Sequence, residues 1–305
     1  MQFRELYYFI KPIIPRGMQI LIRRKVALLT KKAFHDVWPI DENSGNPPEN
    51  WLGWPDHKQF ALVLTHDVEM DKGLDRINAL MDLEKKLGLK SSFNFVAEDY
   101  QVPDTLLSLI SDSGFEIGVH GLKHNSNPFR SLSEFKKQSL RINDYLKSWG
   151  AVGFRCPSMY HNLDWIHYLD IEYDMSTFDT DPFEPQPDGV GTIFPFWFAG
   201  DTPNKGFVEL PYTLPQDFTL FVLLGENNID TWKRKVDWVA GKGGMILVNI
   251  HPDYISFEAQ HSSLHEYPAR YYEELLKYIQ DKYRNQYWNA LPREVARFFV
   301  SVSQQ

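Results

Sequence analysis

The sequence predicts an α/β protein whose main domain is a distorted, seven-stranded, TIM-like (β/α) barrel with an N-terminal helical extension. From residue 59 onward, short apolar or β-branched runs alternate with longer helical patterns, which is typical of strand–helix units with parallel strands. The chain has 305 residues, which is enough for one barrel of roughly 200 to 250 residues and an extension. We therefore expect a helix and an irregular linker over residues 1–58, and the barrel over residues 59–305.

Seven short runs are candidate strands because they are apolar or β-branched and are bounded by turn-forming residues. They are Phe60–Thr65, Ser91–Val96, Phe115–Val119, Val152–Arg155, Ile171–Met175, Phe207–Leu210 and Met245–Ile250. Helical patterns lie between several of them, and three of these patterns end at a glycine, which suits a helix C-terminus. These three helices are predicted over Leu74–Leu87, Thr105–Ser113 and Ser131–Trp149.

The N-terminal segment is basic and amphipathic. Apolar residues at near-helical spacing predict a helix over Met18–Phe34, and the Pro-, Gly- and Asn-rich stretch Asp36–Lys58 reads as a linker. Residues 1–32 carry eight Lys and Arg against Glu5 alone, a net charge of +7. The helix could rest on the inner face of the cytoplasmic membrane. Alternatively, it packs its apolar stripe on the barrel, and its charges are solvated or pair with the acidic remainder.

The composition indicates a soluble globular protein. Hydrophobic residues make up 43%, charged residues 24%, and the net charge is -8, so the acidic body argues against nucleic-acid binding. Cys156 is the single cysteine, which excludes an intramolecular disulfide. We recognise neither a signal-peptide pattern nor an apolar run of about 18 residues. We therefore expect a cytoplasmic protein, at the inner membrane face if the basic helix binds there.

Polar residues follow four of the predicted strands directly. Because barrel active sites are built at the carboxyl ends of the strands, these side chains should meet at one face. The first strand runs into Asp67 and Glu69, and the others run into His120-Gly-Leu-Lys-His124, Arg155-Cys-Pro157 and His251.

His120 and His124 are four residues apart, so a helical turn after the strand would point both imidazoles the same way. Two histidines with one carboxylate form a facial metal site that leaves positions open for water and substrate. The position of this pair after a buried strand favours the metal site over an incidental pair of surface histidines.

Five ordered motifs resemble those of a known family. Thr65-His-Asp-Val-Glu69, His120-Gly-Leu-Lys-His124, Phe154-Arg-Cys-Pro157, Tyr173-Asp-Met-Ser176 and Leu247-Val-Asn-Ile-His251 are similar to the five motifs of polysaccharide deacetylases, the NodB-homology fold of carbohydrate esterase family 4. The resemblance covers roughly residues 59 to 255 and implies a NodB-type barrel.

The resemblance also implies residue roles. Asp67 matches the general base, Arg155 the residue that holds the base, and His251 the general acid. Asp174 resembles the acidic residue that orients this histidine. His120 and His124 match the metal-binding histidines.

Glu69 is our expected third metal ligand. The first motif carries Asp67-Val-Glu69 where many members have two adjacent aspartates, so Asp67 and Glu69 could exchange roles. The expected cofactor is one divalent metal ion, zinc first, with cobalt, nickel or manganese as alternatives.

The chemistry fits this division of roles. Amide hydrolysis needs an activated water, a positive centre for the developing oxyanion and a proton for the leaving amine. We expect Pro157 and Tyr212 to contact the substrate, since both follow strands at the same barrel face. Asp253, in His251-Pro-Asp253, orients the histidine or caps the following loop, and the sequence does not decide between the two.

The predicted function is metal-dependent removal of an N-acetyl or N-formyl group from an amino sugar. The substrate would be a glycan or a lipid- or nucleotide-linked sugar precursor. The alternatives are another C–N hydrolase on the same barrel, since a fold does not fix a substrate, and a carbohydrate-binding relative without turnover.

Overall fold

The sheet is a curled, mostly parallel half-barrel. The computed structural model describes residues 16–49, 51–200, 206–258 and 264–303. The strands follow the order β11-β1-β2-β3-β4-β5-β7-β6, and β8 pairs with β1. Their bounds are Phe60–Val68 (β1), Ser91–Phe95 (β2), Glu116–Val119 (β3), Gly153–Phe154 (β4), Tyr173–Asp174 (β5), Phe196–Ala199 (β6), Gly206–Glu209 (β7), Met245–Ile250 (β8), Ile255–Ser256 (β9), Tyr267–Pro268 (β10) and Tyr287–Asn289 (β11).

The seven predicted strands correspond to β1 to β5, β7 and β8, and the α/β class is confirmed. β6 is antiparallel to β7, whereas β9 and β10 form a separate pair. After β7, Thr213 connects to β8: its amide donates to the Leu247 carbonyl at 3.2 Å, and its hydroxyl donates to the Met245 carbonyl at 2.8 Å. This contact brings β8 beside the loop that follows β7.

Helices cover the outer face of the sheet. Their bounds are Arg16–Ala33 (α1), Asp71–Leu74 (α2), Ile77–Lys86 (α3), Asp104–Asp112 (α4), Leu132–Trp149 (α5), Leu163–Ile166 (α6), Asp230–Lys242 (α7), Arg270–Lys282 (α8) and Pro292–Ser303 (α9). The helix predicted over Leu74–Leu87 corresponds to α3, and the short helix α2 ends at Leu74, just before it. Arg76 lies between them, and its guanidinium donates to the carbonyls of Pro252 and Asp253, which anchors the break.

Two apolar cores explain why the strands are buried on both faces. Outward-facing residues such as Leu62 and Leu64 of β1 pack against the helices. Inward-facing residues such as Ala61 and Val63 fill the inside of the curled sheet, where Val295 of α9 also packs. Apolar side chains therefore fill the interior of the sheet, and the polar groups lie at the carboxyl ends of the strands.

Helix α1 packs beside a π-helical turn, Phe218–Leu223, that follows β7. The Arg24 guanidinium donates to the Val222 carbonyl at 2.9 Å, and Lys31 pairs with Glu226 at 2.7 Å. No helix in the described part of the chain is both long and apolar enough to span a bilayer. The division of the chain at residue 58 stays a prediction.

Candidate metal centre

Three predicted metal-binding side chains lie together. One ligand atom each of Glu69, His120 and His124 is within 4.8 Å of the other two. Glu69 follows β1, and the histidines follow β3, so the carboxyl ends of these strands bring the three groups to one face. The Nε2 of His124 lies 3.0 Å from Glu69 Oε1. This contact with Glu69 does not have hydrogen-bond geometry, so the buried Nε2 of His124 is available to a metal ion.

His120 is oriented for a metal by its second ring nitrogen. Its Nδ1 lies 3.0 Å from the Arg155 carbonyl and can donate to it, which leaves the Nε2 lone pair free. Burial lowers the pKa of His120 to about 4, so the ring is neutral at physiological pH. Burial opposes the charged form of His124 too, but the Glu69 carboxylate outweighs it and raises the pKa of His124. A metal ion binds each histidine in its neutral form and would compete with the proton on His124. Two histidines and one carboxylate are a suitable donor set for a divalent metal such as zinc.

The segment between the two histidines is an irregular loop and not the helical turn that the spacing suggested. Gly121 adopts φ +72°, a left-handed conformation that residues with a Cβ rarely take. A Cβ at this position would also lie 2.8 Å from the ring of Pro157. A glycine is therefore required here, and the loop places His124 beside Glu69 without a helix.

Asp67 lies inside the barrel and not in the three-residue cluster. Its Oδ1 accepts from Asn94 at 2.8 Å and from Arg155 at 3.0 Å, and its Oδ2 accepts from Asn249 at 2.8 Å. Burial opposes its charge, but the Arg155 guanidinium outweighs burial and holds the pKa of Asp67 well below its usual range. Asp67 is therefore ionised. Arg155 is fully buried and also donates to Thr65, as expected of a residue that holds the carboxylate in place.

His251 faces the cluster from β8. Its Nε2 is 3.7 Å from Glu69 Oε1, and its Nδ1 is 2.6 Å from Asp217 Oδ1. The second oxygen of Asp217 accepts from the His251 amide at 2.9 Å and from the Tyr267 hydroxyl at 2.8 Å. Burial disfavours the imidazolium, but the Asp217 carboxylate outweighs it, and the pKa of His251 is raised to about 10.

Asp217 thus occupies the position that we had assigned to Asp174. Asp174 is buried at the end of β5, and its carboxylate accepts from the Ser176 amide at 3.0 Å and from the Ser176 hydroxyl at 2.8 Å. The Ser176 hydroxyl in turn accepts from the Cys156 amide at 2.8 Å. Asp174 therefore supports the loop after Arg155 instead of orienting His251, and the sequence assignment is corrected.

The loop after β8 fixes Glu69. Asp253, whose role the sequence left open, accepts from the Glu69 amide at 2.7 Å and from the Met70 amide at 3.1 Å. It therefore caps the loop after β1 and does not contact the His251 ring. Tyr254 donates its hydroxyl to Glu69 Oε2 at 2.6 Å. Both contacts leave Glu69 Oε1 turned toward His124.

The two predicted substrate contacts differ. Pro157 begins a tight turn in which Ser158 and Met159 adopt φ of 56° and 53°, a strained conformation of the kind that clusters at functional sites. Tyr212 is 1% exposed, and its hydroxyl lies 2.7 Å from Asp181 and 2.8 Å from Glu184. The Tyr212 hydroxyl is thus occupied by protein groups.

Sequence reasoning missed several groups around the site. Asn94 and Asn249 hold Asp67, Asp217 holds His251, and Tyr254 holds Glu69. The two asparagines carried a signal, since each is a polar residue inside a buried strand, and such a residue needs a partner. Asp217 and Tyr254 lie in irregular segments and carried none.

Residues 55–166 match the family model for polysaccharide deacetylase. No curated protein matches the chain. A putative polysaccharide deacetylase from Mycobacterium smegmatis has a similar fold, with a TM-score of 0.61, 18% identity, and coverage of 85% of this chain and 96% of that one. A probable polysaccharide deacetylase from Pseudomonas aeruginosa PAO1 has a TM-score of 0.65 at 16% identity, with 87% and 98% covered. A Puue allantoinase also has a TM-score of 0.65, at 15% identity, with 87% and 98% covered.

The matched residues run from before β1 to the end of α6 and include Asp67, Glu69, His120, His124 and Arg155. His251 and Asp217 lie outside them and are placed by the fold alone. The family match over residues 55–166 and the shared fold confirm the resemblance seen in the motifs, which is to polysaccharide deacetylases, hydrolases that act on carbon–nitrogen bonds of acetylated sugars.

Proposed function

We propose that the protein hydrolyses an N-acyl group, acetyl or formyl, from an amino sugar and uses one divalent metal ion. The observation that carries this proposal is the cluster of Glu69, His120 and His124, accompanied by an ionised Asp67 and a protonated His251. Two ligand histidines, one carboxylate and two separate proton-transfer groups are the set that metal-assisted amide hydrolysis requires.

Glu69, His120 and His124 would hold the ion, with zinc as the first candidate and cobalt, nickel or manganese as alternatives. A bound ion of this kind supplies a positive centre for the developing oxyanion and makes water more acidic. The inclusion of Glu69 and not Asp67 in the cluster supports the assignment of Glu69 as the third ligand.

Asp67 is assigned as the general base. Its three hydrogen bonds leave further lone-pair capacity on Oδ2, which among the described residues accepts only from Asn249. Arg155 keeps Asp67 ionised and fixes its position, because a carboxylate that must receive a proton has to be unprotonated at the start of each cycle. Asn94 and Asn249 are positioning residues that act through Asp67.

His251 is assigned as the general acid. With its pKa raised to about 10, the ring is protonated at neutral pH and can donate from Nε2 to the leaving amine nitrogen. Asp217 receives the Nδ1 proton in a hydrogen bond, which fixes the ring and stabilises its charge. This division of roles gives the base and the acid opposite protonation states at the same pH, as amide cleavage needs.

The substrate class is supported by the cleft beside the cluster. The cleft has a volume of about 390 Å³, and its lining includes Asp71, Asp99, Tyr100 and Tyr254. Carboxylates and phenols accept hydrogen bonds, and sugar hydroxyls can donate them. A glycan or a lipid- or nucleotide-linked amino sugar would therefore suit it. We also propose that the protein acts in the cytoplasm, as the sequence led us to expect.

A substrate panel tests the proposed function. We expect the metal-loaded protein to release acetate or formate, with a free amine, from N-acylated amino-sugar oligosaccharides or sugar precursors. Allantoin is the informative control, because one structure with this fold is an allantoinase. Turnover of allantoin without acyl release would identify another C–N hydrolase. Sugar binding without turnover of any substrate would indicate a carbohydrate-binding protein.

A further inference from the structure

Helix α1 exposes apolar side chains to solvent. Leu21, Leu28 and Leu29 are 58%, 55% and 63% exposed, and Lys25 and Lys32 are exposed between and beyond them. These five residues lie on one side of the helix at spacings of three, four and seven or eight residues. We call them the outer face of α1. Contiguous exposed leucines on one helix face are characteristic of a contact surface.

The opposite side of α1 holds the helix on the protein. Ile20 and Ala27 are buried there, Arg24 donates to the Val222 carbonyl, and Lys31 pairs with Glu226. The leucines of the outer face are therefore not needed to attach α1 to the barrel. In the packing alternative of the sequence analysis, the apolar stripe faced the barrel and the charges were solvated or paired with the acidic remainder. Here Leu21 and Leu29 of that stripe face solvent, whereas Lys31 pairs with Glu226 as that alternative allowed.

The charge of α1 indicates what would cover the outer face. The helix sequence, RGMQILIRRKVALLTKKA, contains six Lys and Arg and no acidic residue. Such a surface attracts an anionic partner, and its leucines need an apolar phase. A bilayer that contains anionic lipid provides both, because lysines contact headgroups while the apolar face enters the interface.

Helix α1 also lies close to the catalytic cleft. The Arg23 guanidinium carbon is 4.9 Å from the centre of the Phe218 ring, and this ring is 4.6 Å from the ring of Tyr254. Tyr254 donates to Glu69 at 2.6 Å. Two aromatic rings therefore connect the helix with a predicted metal ligand, so α1 lies near the cleft.

We propose that the outer face of α1 docks on an anionic lipid bilayer and brings the cleft to an amino sugar attached to a membrane lipid. The exposed leucines and the positive charge of α1 support the docking, whatever the substrate is. The lipid-attached substrate rests on the proposed function.

Vesicle co-sedimentation of the full chain, without substrate, tests the docking. Vesicles of phosphatidylcholine with and without phosphatidylglycerol are compared at low and moderate salt. We expect the wild-type protein to bind the anionic vesicles and to bind them less tightly as salt rises. Lys25→Gln with Lys32→Gln should lower the partition coefficient on anionic vesicles roughly 30-fold at low salt. Absence of wild-type binding to anionic vesicles at low salt would overturn the proposal.

A leucine variant and a matched control complete the test. Replacing Leu21, Leu28 and Leu29 together by Gln keeps good helix formers and should lower binding by roughly tenfold or more. The control, Lys137→Gln with Leu140→Gln, changes an exposed lysine and a leucine that is 70% exposed on α5, and should bind like the wild type. Unchanged binding by the leucine variant would refute docking through this face. A second result would also refute the proposal: the wild type is a dimer, the leucine variant is a monomer, and neither binds vesicles. The outer face would then bind a second copy of the chain.

The two proposals fail separately. Vesicle binding by a protein that releases no acyl group from any sugar would overturn the proposed function and support the docking. Acyl release from soluble amino sugars by a protein that ignores anionic vesicles would support the proposed function and overturn the docking.

Discussion

Replacing Asp217 by Asn should move the basic limb of the pH–rate profile to lower pH. Burial lowers the pKa of His251, but the charge of Asp217 and its hydrogen bond at Nδ1, with smaller contributions from Glu69 and Asp67, raise this pKa from an ordinary 6.5 to about 10. A general acid acts in its protonated form, so activity falls as pH rises through this pKa. Without the carboxylate, the pKa of His251 should drop toward the ordinary value, because burial then opposes only the smaller contributions of Glu69 and Asp67. At about pH 8 the protonated fraction would fall from about 99% to about 3%, roughly a 30-fold loss.

The substitution also disturbs the position of the ring. Asp217 accepts from the His251 ring, the His251 amide and Tyr267, so an Asn side chain must turn its NH₂ toward at least one donor. A rate loss at all pH values is therefore expected, and the displaced limb is the diagnostic result. A bound metal ion would shift the pKa of His251 in both proteins. The difference between their basic limbs therefore reports the effect of Asp217.

Rates of acyl release across a pH series, for wild type, Asp217→Asn and Asp174→Asn, are the measurement. Asp174 is the matched control, because it is a buried carboxylate that does not contact His251. Its variant should keep the wild-type limb. A limb that stays in place in Asp217→Asn, or that moves in Asp174→Asn instead, would refute the assignment.

Two further substitutions test the base and the histidine loop. Asp67→Asn should keep the metal, measured by elemental analysis, and lose about 10²- to 10⁴-fold in turnover, because it removes the proton acceptor. If this variant loses the metal while Glu69→Gln keeps it, Asp67 is the metal ligand and Glu69 is the base. Gly121→Ala should lower the free energy of unfolding in urea by about 2 to 4 kcal/mol, since it combines left-handed strain with a clash at Pro157. Gly150→Ala, at φ +62° with nothing within 4 Å of its Cβ, should show the strain alone, and equal losses in both variants would contradict the clash.

The sequence predicts the parts of the site that depend on strand ends. Parallel strands bring their carboxyl ends to one face, so Asp67, Glu69, His120 and His251 could be expected to meet once the strands were recognised. Asp217 could not be found in this way. It follows β7 by eight residues in an irregular segment, and only the fold brings it beside β8. Asp174 was assigned this role from the resemblance of Tyr173-Asp-Met-Ser176 to a family motif, whereas in the structure its carboxylate accepts hydrogen bonds from Ser176.

The sequence also does not determine which face of the N-terminal helix packs on the barrel. Helical spacing over Met18–Phe34 predicts an amphipathic helix, but it does not say which face lies on the barrel. In the structure, Arg24 and Lys31 find partners near the π-helical turn, and the leucines face outward. The partners lie about 200 residues away along the chain, so no local pattern contains this information. Similarly, spacing alone suggested a helical turn for His120 and His124, where Gly121 produces a loop.

Titration of metal into the chelator-stripped protein, with acyl release and bound metal measured together, tests the central claim most directly. We expect the stripped wild-type chain to be inactive and to recover turnover in proportion to metal, up to one ion per chain. His120→Ala and His124→Ala should remain folded by circular dichroism, bind little metal and stay inactive, because each lacks one of the proposed ligands. Full turnover by the stripped protein, or full metal occupancy in either histidine variant, would contradict the account.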